Sequence, residues 1–405
     1  MGYLIYLTIV CGYIFSRGFF SFPSALILLF TTIFFLFWLI FPKKLSVSLS
    51  LNPQALLVIL SALSLAMYGG LYQKDITLIY FSFGLLGINF FLSFFATNKR
   101  IFLAMVMIAL LTRVFMVVSS PNPKIDVYDF LRQGAIAAVS GQNPYTLTYQ
   151  KMYADMTPDF YFYLPGTIYL TIPSVIIFND PRYTFVFAEI AVALIVYKLV
   201  KKQRDKLIFP LLLLNNPMSL FIIEQSWTEP LILLGLTVFG WLILQKRTLL
   251  AAIVFGIVMA TKQHIFLLLP LAIRNIRLAV IACLVAAVLI LPYLLWSPAD
   301  FIHDTIGLQL GFAPRYDGLT FFSLLRRFGF GYHLWLMAVT IIPLAGYVYF
   351  SRQINLSRFF ILGAFLFLVI FYFNKWSYLN YYYLISQMFL IGIILESHRS
   401  KENGR

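Results

Sequence analysis

Apolar runs long enough to cross a bilayer recur along almost the whole chain. The first five precede the first long polar segment and lie at 3–15, 24–41, 54–71, 77–96 and 101–118. A hydrocarbon core about 30 Å thick takes roughly 20 helical residues, with 17 near the short end of the range. The pattern therefore predicts an all-α polytopic, multi-pass membrane protein.

Basic residues predict the orientation of the first half. Lys43 and Lys44 follow the second run, and Lys99 and Arg100 follow the fourth. Because basic loops favour the cytoplasm, we expect a cytoplasmic N-terminus and a fifth run that ends outside. Residues 119–182 then form an external loop with a short amphipathic helix at 128–140 and a second, surface-lying or half-inserted helix at 164–178, which prolines interrupt.

The second half continues the same alternation. Runs at 183–199, 208–223 and 230–244 are expected to cross, and 249–271 is expected to fold as a hairpin of two short helices near Lys262, because basic residues flank it at both ends. Runs at 278–296, 334–350, 359–373 and 378–395 follow, with a second long external loop at 297–331. This predicts a bundle of roughly 12–14 helices with both termini in the cytoplasm and interfacial helices in the two external loops.

Composition narrows the class of protein. The chain is 61% hydrophobic and 11% charged, with a formal charge of +15. A basic excess in a membrane protein normally lies in cytoplasmic loops and phosphate sites, so nucleic acid is not an expected partner, whereas membrane lipids are. Cys11 and Cys283 lie in separate apolar runs, which argues against a disulfide framework and a metal cluster.

Some basic residues break the expected orientation. On this topology all but three of the 15 acidic residues lie at or near the outer side. The outward basic residues suggest that something anionic is held there. They are Arg17, Lys74, Arg113, Lys124, Arg132, Lys151, Arg182, Lys262, Arg315, Arg326, Arg327 and Lys375.

Asp126 and Asp129 open the polar segment just after the fifth run. One interpretation is that they begin and stabilise a short interfacial helix, since acidic side chains there accept N–H groups and complement the helix dipole. The other is that Asp126 is a general base at the membrane surface.

Several short motifs resemble one family. They are Asp126–Val127–Tyr128, Gly141–Gln142–Asn143–Pro144–Tyr145, Tyr163–Leu164–Pro165, Lys262–Gln263 with Pro270, and Asn374–Lys375 with Asn380–Tyr381–Tyr382. In this order they resemble GT-C fold glycosyltransferases, particularly polyprenyl-phosphate-sugar-dependent, mannosyltransferase-like members. The resemblance covers about 101–395 and divides the chain into N-terminal accessory helices (1–100), a GT-C-like catalytic core (101–396) and a cytoplasmic tail (397–405). Gly166 departs from the family's second proline, and the first 100 residues are additional.

The resemblance implies a function and roles for single residues. It implies an inverting transfer of a hexose, most simply mannose, from a polyprenyl-phosphate donor to a hydroxyl of a glycan or glycolipid acceptor at the outer face of the cytoplasmic membrane, with no cofactor and no metal. Asp126 occupies the position of the general base, and this favours the catalytic interpretation. Asp129, three residues on, is expected to position the acceptor or to raise the pKa of Asp126.

Three cations are candidates for the donor phosphate. Arg315 lies within the second loop, where it either binds phosphate or forms a surface pair with Asp317. Lys262 lies at the tip of the hairpin, and a lysine within the membrane is a candidate for a functional role. Lys375 either binds phosphate or extends its ammonium to the membrane interface. Arg113 is expected to be the partner of a buried acid. The candidate substrate-binding residues are Tyr128, Tyr145, Tyr163, Gln263, His264, Glu224, Glu229 and Tyr381.

Two other functions remain open. A lipid or glycan transporter or flippase would predict inverted repeats and charges near the bilayer midplane. No repeat is evident, and the charges gather at one face. The second alternative is a non-catalytic subunit of a glycan assembly machine, and only the presence of the Asp126 motif argues against it.

Overall fold

The structure is a computed structural model that describes residues 1–16, 19–41, 51–149, 158–272, 275–351 and 355–402, with side chains as far as residue 397. Arg17, Lys43, Lys44 and Lys151, which enter the orientation argument, lie outside the described residues, as does Arg274, one of the basic residues that flank the run at 249–271. Within the described ranges every regular element is helical, and no strand occurs.

The helices of the first half of the chain are α1 (Gly2–Ile14), α2 (Phe22–Ile40), α3 (Pro53–Ala66), α4 (Ile76–Ser93), α5 (Lys99–Ser119), α6 (Asp126–Val139), α7 (Pro165–Phe178), α8 (Arg182–Leu199), α9 (Gln203–Leu214) and α10 (Ser219–Glu224). Those of the second half are α11 (Glu229–Leu244), α12 (Thr248–Met259), α13 (Leu269–Ala272), α14 (Ile276–Trp296), α15 (Pro298–Ile302), α16 (Leu308–Gly311), α17 (Phe321–Arg326), α18 (Leu334–Tyr349), α19 (Leu356–Tyr372) and α20 (Leu379–Glu402).

Five of these helices are long and apolar enough to cross a membrane on their own. They are α2, α4, α5, α14 and α20 as far as Ser397. Shorter apolar helices of 10–17 residues accompany them. The chain therefore has the helices of a membrane protein, as its hydropathy predicts, whereas the predicted figure of about 12–14 also includes helices too short to span unaided.

Local sequence explains where several helices begin. Asn52, Asp75 and Asn98 precede α3, α4 and α5, and the side-chain oxygen of each accepts a backbone N–H from the first turn. Such caps satisfy N–H groups that have no partner within the helix. The capping residues that begin α3, α4 and α5 therefore lie in the turns that precede these helices.

The predicted crossing at 208–223 is wrong in one respect, because it consists of two helices. Asn215, Asn216 and Pro217 separate α9 from α10. Proline lacks an N–H and disfavours the helical conformation in the residue before it. The polar groups at the break find buried partners: Asn89 donates to Asn215, and Tyr13 donates to Asn216 Oδ1 over 3.2 Å.

The break predicted near Lys262 is present. Helix α12 ends at Met259, and a short 3-10 helix, Gln263–Leu268, leads into α13. The turn between them packs on the start of α7, where the N–H of Gly166 donates to the carbonyl of Ala260 over 2.7 Å. A Cβ at position 166 would lie 2.6 Å from that oxygen. Both contacts exclude proline at position 166, since proline has neither the N–H nor the small volume.

The N-terminal helices pack into the same bundle as the last two helices. Phe35 of α2 contacts Phe365 of α19 and Phe389 of α20, with ring centroids 5.1 and 4.5 Å apart. The hydroxyl of Tyr372 donates to the carbonyl of Ala25 over 2.6 Å. One apolar cluster thus joins the two ends of the described chain.

The two long loops, residues 119–182 and 297–331, contact each other. Asp304 Oδ2 accepts the N–H of Tyr161 over 2.7 Å. The amide of Gln263 donates to the carbonyls of Phe162 and Thr305 over 3.0 and 2.9 Å. Residues from both loops and from the hairpin turn therefore meet in one place.

Candidate functional site

A cavity of about 690 Å³ opens at the meeting point of the two loops and the hairpin turn. Its volume suits a small-molecule ligand. Its walls are mainly aromatic, with a few charged and amide side chains. The lining residues are Phe19, Leu71, Tyr72, Ile125, Asp126, Val127, Phe130, Phe160, Phe162, Tyr163, Phe221, Gln225, Trp227, Lys262, Phe312, Arg315, Trp376, Tyr378, Asn380 and Tyr381.

Asp126 is the first residue of α6 and lines this cavity. Its side chain is half-buried, and Oδ1 accepts the N–H of Val127 over 2.8 Å. Burial raises the pKa of Asp126, while that hydrogen bond and the charge of Arg315 act to lower it. A carboxylate with a raised pKa is a stronger base than an ordinary aspartate, and this suits proton abstraction from a hydroxyl.

Asp129 lies on the same helix but is not among the cavity-lining residues. It is buried, and Oδ1 accepts the Gln133 amide over 3.3 Å. Burial raises the pKa of Asp129 as well. The charge of Asp129 also raises the pKa of Asp126, but this is the smallest of the effects on that pKa.

Arg315 reaches the cavity from the second loop and is also paired with Asp317. Its Nε and Nη2 donate to the two Asp317 oxygens over 3.0 and 2.6 Å. The pair with Asp317 that the sequence offers as the alternative is therefore present, and the same side chain also lines the cavity. Because a guanidinium has five N–H groups, three of them remain for a ligand.

Lys375 has a different role, since its ammonium donates to the carbonyls of Leu310 and Phe312 over 2.9 and 2.7 Å. Burial lowers the pKa of Lys375. Its own carbonyl accepts the N–H of Arg315 over 2.9 Å. Lys375 thus holds the second loop beside α20, and it is not among the cavity-lining residues.

Lys262 lines the cavity within a buried ion pair. Its Nζ donates to Glu229 Oε1 over 2.6 Å, and the same oxygen accepts the Asn380 amide over 2.8 Å. The rings of Tyr163 and Tyr381 lie 5.5 and 5.0 Å from the ammonium, so both can contribute cation–π attraction. Glu229 therefore largely neutralises the positive charge of Lys262, the residue predicted to bind the donor phosphate.

The remaining predicted residues stand behind the cavity wall and hold it in place. Tyr145 donates to the carbonyl of Tyr163 over 2.7 Å, and Tyr128 packs under the guanidinium of Arg182 at 5.2 Å. His264 lies between the rings of Phe367 and Phe371. None of the three is a cavity-lining residue.

Glu224, also predicted as a substrate ligand, instead binds a backbone turn. Its carboxylate accepts the N–H groups of Leu71 and Tyr72 over 2.7 and 2.9 Å. Tyr72 in turn donates to the carbonyl of Lys124, two residues before Asp126. Glu224 therefore positions the turn between α3 and α4 against the segment that bears Asp126.

Sequence reasoning missed the cavity residues that come from outside the motifs. Phe19, Leu71 and Tyr72 belong to the first 100 residues, which were expected to be accessory. Gln225 and Trp227 lie at the turn between α10 and α11. Asn380 belongs to the motif Asn380–Tyr381–Tyr382, and its place in that motif is the only sequence feature that could have predicted it as a cavity residue.

Arg113 pairs with an acid, as expected, and the acid is Glu189 at 2.5 Å. Among the described residues no group of three or more His, Cys, Asp and Glu side chains has an arrangement able to hold a metal ion. No family model, curated protein or solved structure matches the chain.

Proposed function

We propose that the chain is an inverting glycosyltransferase that moves a hexose, with mannose as the first candidate, from a polyprenyl-phosphate donor to a hydroxyl of a glycan or glycolipid. The observation that carries the proposal is that Asp126 and Arg315 line one cavity. A carboxylate with a raised pKa and a guanidinium with unused N–H groups are the base and the anion ligand that this chemistry requires.

The reaction assigns each group one task. The acceptor oxygen attacks the anomeric carbon from the side opposite the phosphate and loses its proton to Asp126. The bond between that carbon and the phosphate oxygen breaks, and its electron pair leaves with the phosphate. Arg315 stabilises the charge that develops there, so configuration at the anomeric carbon is inverted.

A lipid donor is supported by the apolar border of the cavity. Phe19 and Leu71 line it and are 55% and 50% exposed. Exposed apolar side chains beside a polar cavity suit a ligand with a hydrocarbon tail and a charged head. Neighbouring apolar helices, among them α2, would accommodate the tail within the bilayer.

The proposed orientation places the cavity outside the cell membrane and both termini in the cytoplasm. Exposed residues on opposite sides test it: Thr148 in the first long loop and Gln203 after the basic segment that follows α8. In a protein with Cys11 and Cys283 replaced by serine, Thr148→Cys should react with an impermeant maleimide in whole cells and Gln203→Cys should not. The reverse pattern would place the cavity in the cytoplasm.

Transfer by purified protein in liposomes tests the function itself. With a glycolipid acceptor, radiolabelled mannose should move from mannosyl polyprenyl phosphate but not from GDP-mannose, and the product should have inverted anomeric configuration. Transfer from the nucleotide sugar alone would contradict the proposal. Movement of the lipid donor between leaflets without a covalent product would favour the flippase instead.

A further inference from the structure

The Lys262–Glu229 pair uses only part of its hydrogen-bonding capacity. Lys262 Nζ donates to Glu229 Oε1, and an ammonium has two further N–H groups. Glu229 Oε2 is buried and has no hydrogen-bond partner among the described residues. Buried polar groups are normally paired, so an orphaned carboxylate oxygen beside a cavity wall needs an explanation.

Other polar side chains that line the cavity also have unused hydrogen-bonding groups, which are accessible and not buried as Glu229 Oε2 is. The Asn380 amide nitrogen donates to Glu229, and the Gln225 amide nitrogen donates to Glu224, but within the described structure neither amide oxygen accepts a hydrogen bond. The hydroxyls of Tyr163 and Tyr381 are also unpaired there. All four residues line the cavity. This wall therefore presents several unused donors and acceptors together.

The charge of this wall suits a neutral ligand better than a phosphate. Glu229 offsets the charge of Lys262, and a phosphate placed there would meet a carboxylate as well as an ammonium. Hexose hydroxyls both donate and accept, which matches a mixed set of amide oxygens, ammonium N–H groups and tyrosine hydroxyls. The rings of Tyr163 and Tyr381 add flat apolar surfaces beside the ammonium.

The same wall lies close to the proposed base. Burial raises the pKa of Tyr163 well above its ordinary value, and the charges of Glu229 and Asp126 raise it further. Tyr163 is therefore within electrostatic reach of both carboxylates. Asp126, Tyr163, Lys262 and Asn380 line one cavity, so a hexose held by the wall would share that cavity with the proposed base.

We propose that Lys262, Asn380 and Gln225, with Glu229 behind them, form a subsite for the hydroxyl groups of the transferred hexose, while Arg315 binds the phosphate. The subsite rests on the proposed function and names the part of the donor that each residue recognises. It reassigns Lys262, which the sequence predicts as a phosphate ligand because a lysine lies at the hairpin tip, to the sugar.

Two lipids with the same tail, one a phosphate monoester and one its mannosyl diester, separate these roles when each variant is compared with wild type on the same lipid. Binding of geranylgeranyl phosphate and of its mannosylated form is measured by calorimetry for the wild-type protein, Asn380→Ala, the charge-neutral double variant Lys262→Met/Glu229→Gln, and Arg315→Gln. The double variant avoids leaving one buried charge unpaired, a change that often prevents folding. Asn380→Ala keeps the ion pair and so provides an independent reading.

In the subsite model, Asn380→Ala and the double variant each lower affinity for the mannosylated lipid about tenfold, as loss of one or two hydrogen bonds does. Affinity for geranylgeranyl phosphate stays within about twofold of wild type, because no phosphate contact is lost. Arg315→Gln lowers both affinities by a similar factor.

Equal losses for both lipids in the double variant would return Lys262 to the phosphate and overturn the subsite. Unchanged affinities in both Asn380→Ala and the double variant would overturn it as well. If the wild-type protein binds neither lipid, the proposed function fails and the subsite fails with it. That result is distinct, because it appears before any substitution is made.

Discussion

Two buried ion pairs in this chain are alike in length and burial but differ in how completely they are hydrogen-bonded. Arg113 and Glu189 lie 2.5 Å apart between α5 and α8, and Lys262 and Glu229 lie 2.6 Å apart beside the cavity. All four side chains are at most 5% exposed. Taking such charges out of water is expensive, so each pair needs a reason.

The Arg113 pair has its hydrogen bonds completed inside the protein. The other guanidinium nitrogens donate to the carbonyls of Ala109 and Leu214 and to the hydroxyl of Ser219, each over 2.8 Å. Glu189 also accepts from Ser219 and from the hydroxyl of Tyr383. This network joins five helices, α5, α8, α9, α10 and α20, and leaves no carboxylate oxygen for a ligand.

The Lys262 pair instead leaves one carboxylate oxygen and two ammonium N–H groups without described partners. A completed pair stabilises the bundle, whereas an incomplete pair beside a cavity is available to bind a ligand. The two pairs therefore differ in unused hydrogen-bonding capacity and not in burial, and under the proposed function that capacity distinguishes a ligand-binding charge from a structural one. Substitutions at several charged residues test this distinction.

Asp126→Asn should have the largest effect, a fall in turnover of about 10²–10⁴-fold. Asparagine keeps the side-chain shape and starts a helix about as well as aspartate, but it cannot accept a proton. Donor affinity should be retained. Turnover and donor binding of the purified variant are measured in the same preparation.

Asp129→Asn is the matched control, because Asp129 is buried on the same helix and bonded to Gln133. This substitution should lower turnover much less than Asp126→Asn does. Near-normal turnover in Asp126→Asn would exclude Asp126 as the base. A larger loss of turnover in Asp129→Asn than in Asp126→Asn would identify Asp129 as the base.

Arg113→Met should destabilise the fold without a specific effect on ligand binding. Removing one partner leaves Glu189 buried and unpaired, at a cost of about 3–5 kcal/mol. The midpoint of thermal unfolding in detergent should fall, and the double variant Arg113→Met/Glu189→Leu should recover most of it. Loss of donor affinity in a double variant of normal stability would contradict the structural role of this pair.

Arg315→Gln should weaken donor binding about 10–100-fold, the range for loss of a charge-assisted hydrogen bond. It should also alter the pH dependence of kcat/KM. Arg315 lowers the pKa of Asp126, so its removal raises that pKa, and the acidic limb should move to higher pH because the base must be ionised. Arg315→Lys, which keeps the charge, should restore the limb; an unmoved limb in Arg315→Gln would separate Arg315 from Asp126.

Glu224→Gln should have the smallest effect, about 1–2 kcal/mol. A glutamine amide has a single acceptor oxygen, so one of the N–H groups of Leu71 and Tyr72 loses its carboxylate partner. The Tyr72 side chain would be less firmly held at the cavity, and KM should rise while kcat changes little. Tyr72→Phe, which removes only the bond to Lys124, tests whether the effect passes through this tyrosine.

Several cavity residues were among the predicted ones, four of them because they stand in short motifs and Arg315 because it is a cation of the second loop. Asp126, Arg315, Lys262, Tyr163 and Tyr381 line one cavity, although up to 255 positions separate the first from the last. Motif order grouped Asp126, Tyr163, Lys262 and Tyr381 before their positions in space were known. Their pairing was not predictable: nothing local to Lys262 indicates that Glu229, 33 residues earlier, neutralises it.

The sequence by itself determined the helical membrane character, because the free energy of placing a segment in a bilayer is a sum over its own residues. It also determined the break at Lys262 and the helix starts at Asn52 and Asp75. Only the tertiary structure decided which charges are already paired and which segments form the cavity. The backbone of Tyr72 is held beside the cavity by the carboxylate of Glu224, 152 residues later in the chain. Such contacts depend on how distant helices pack.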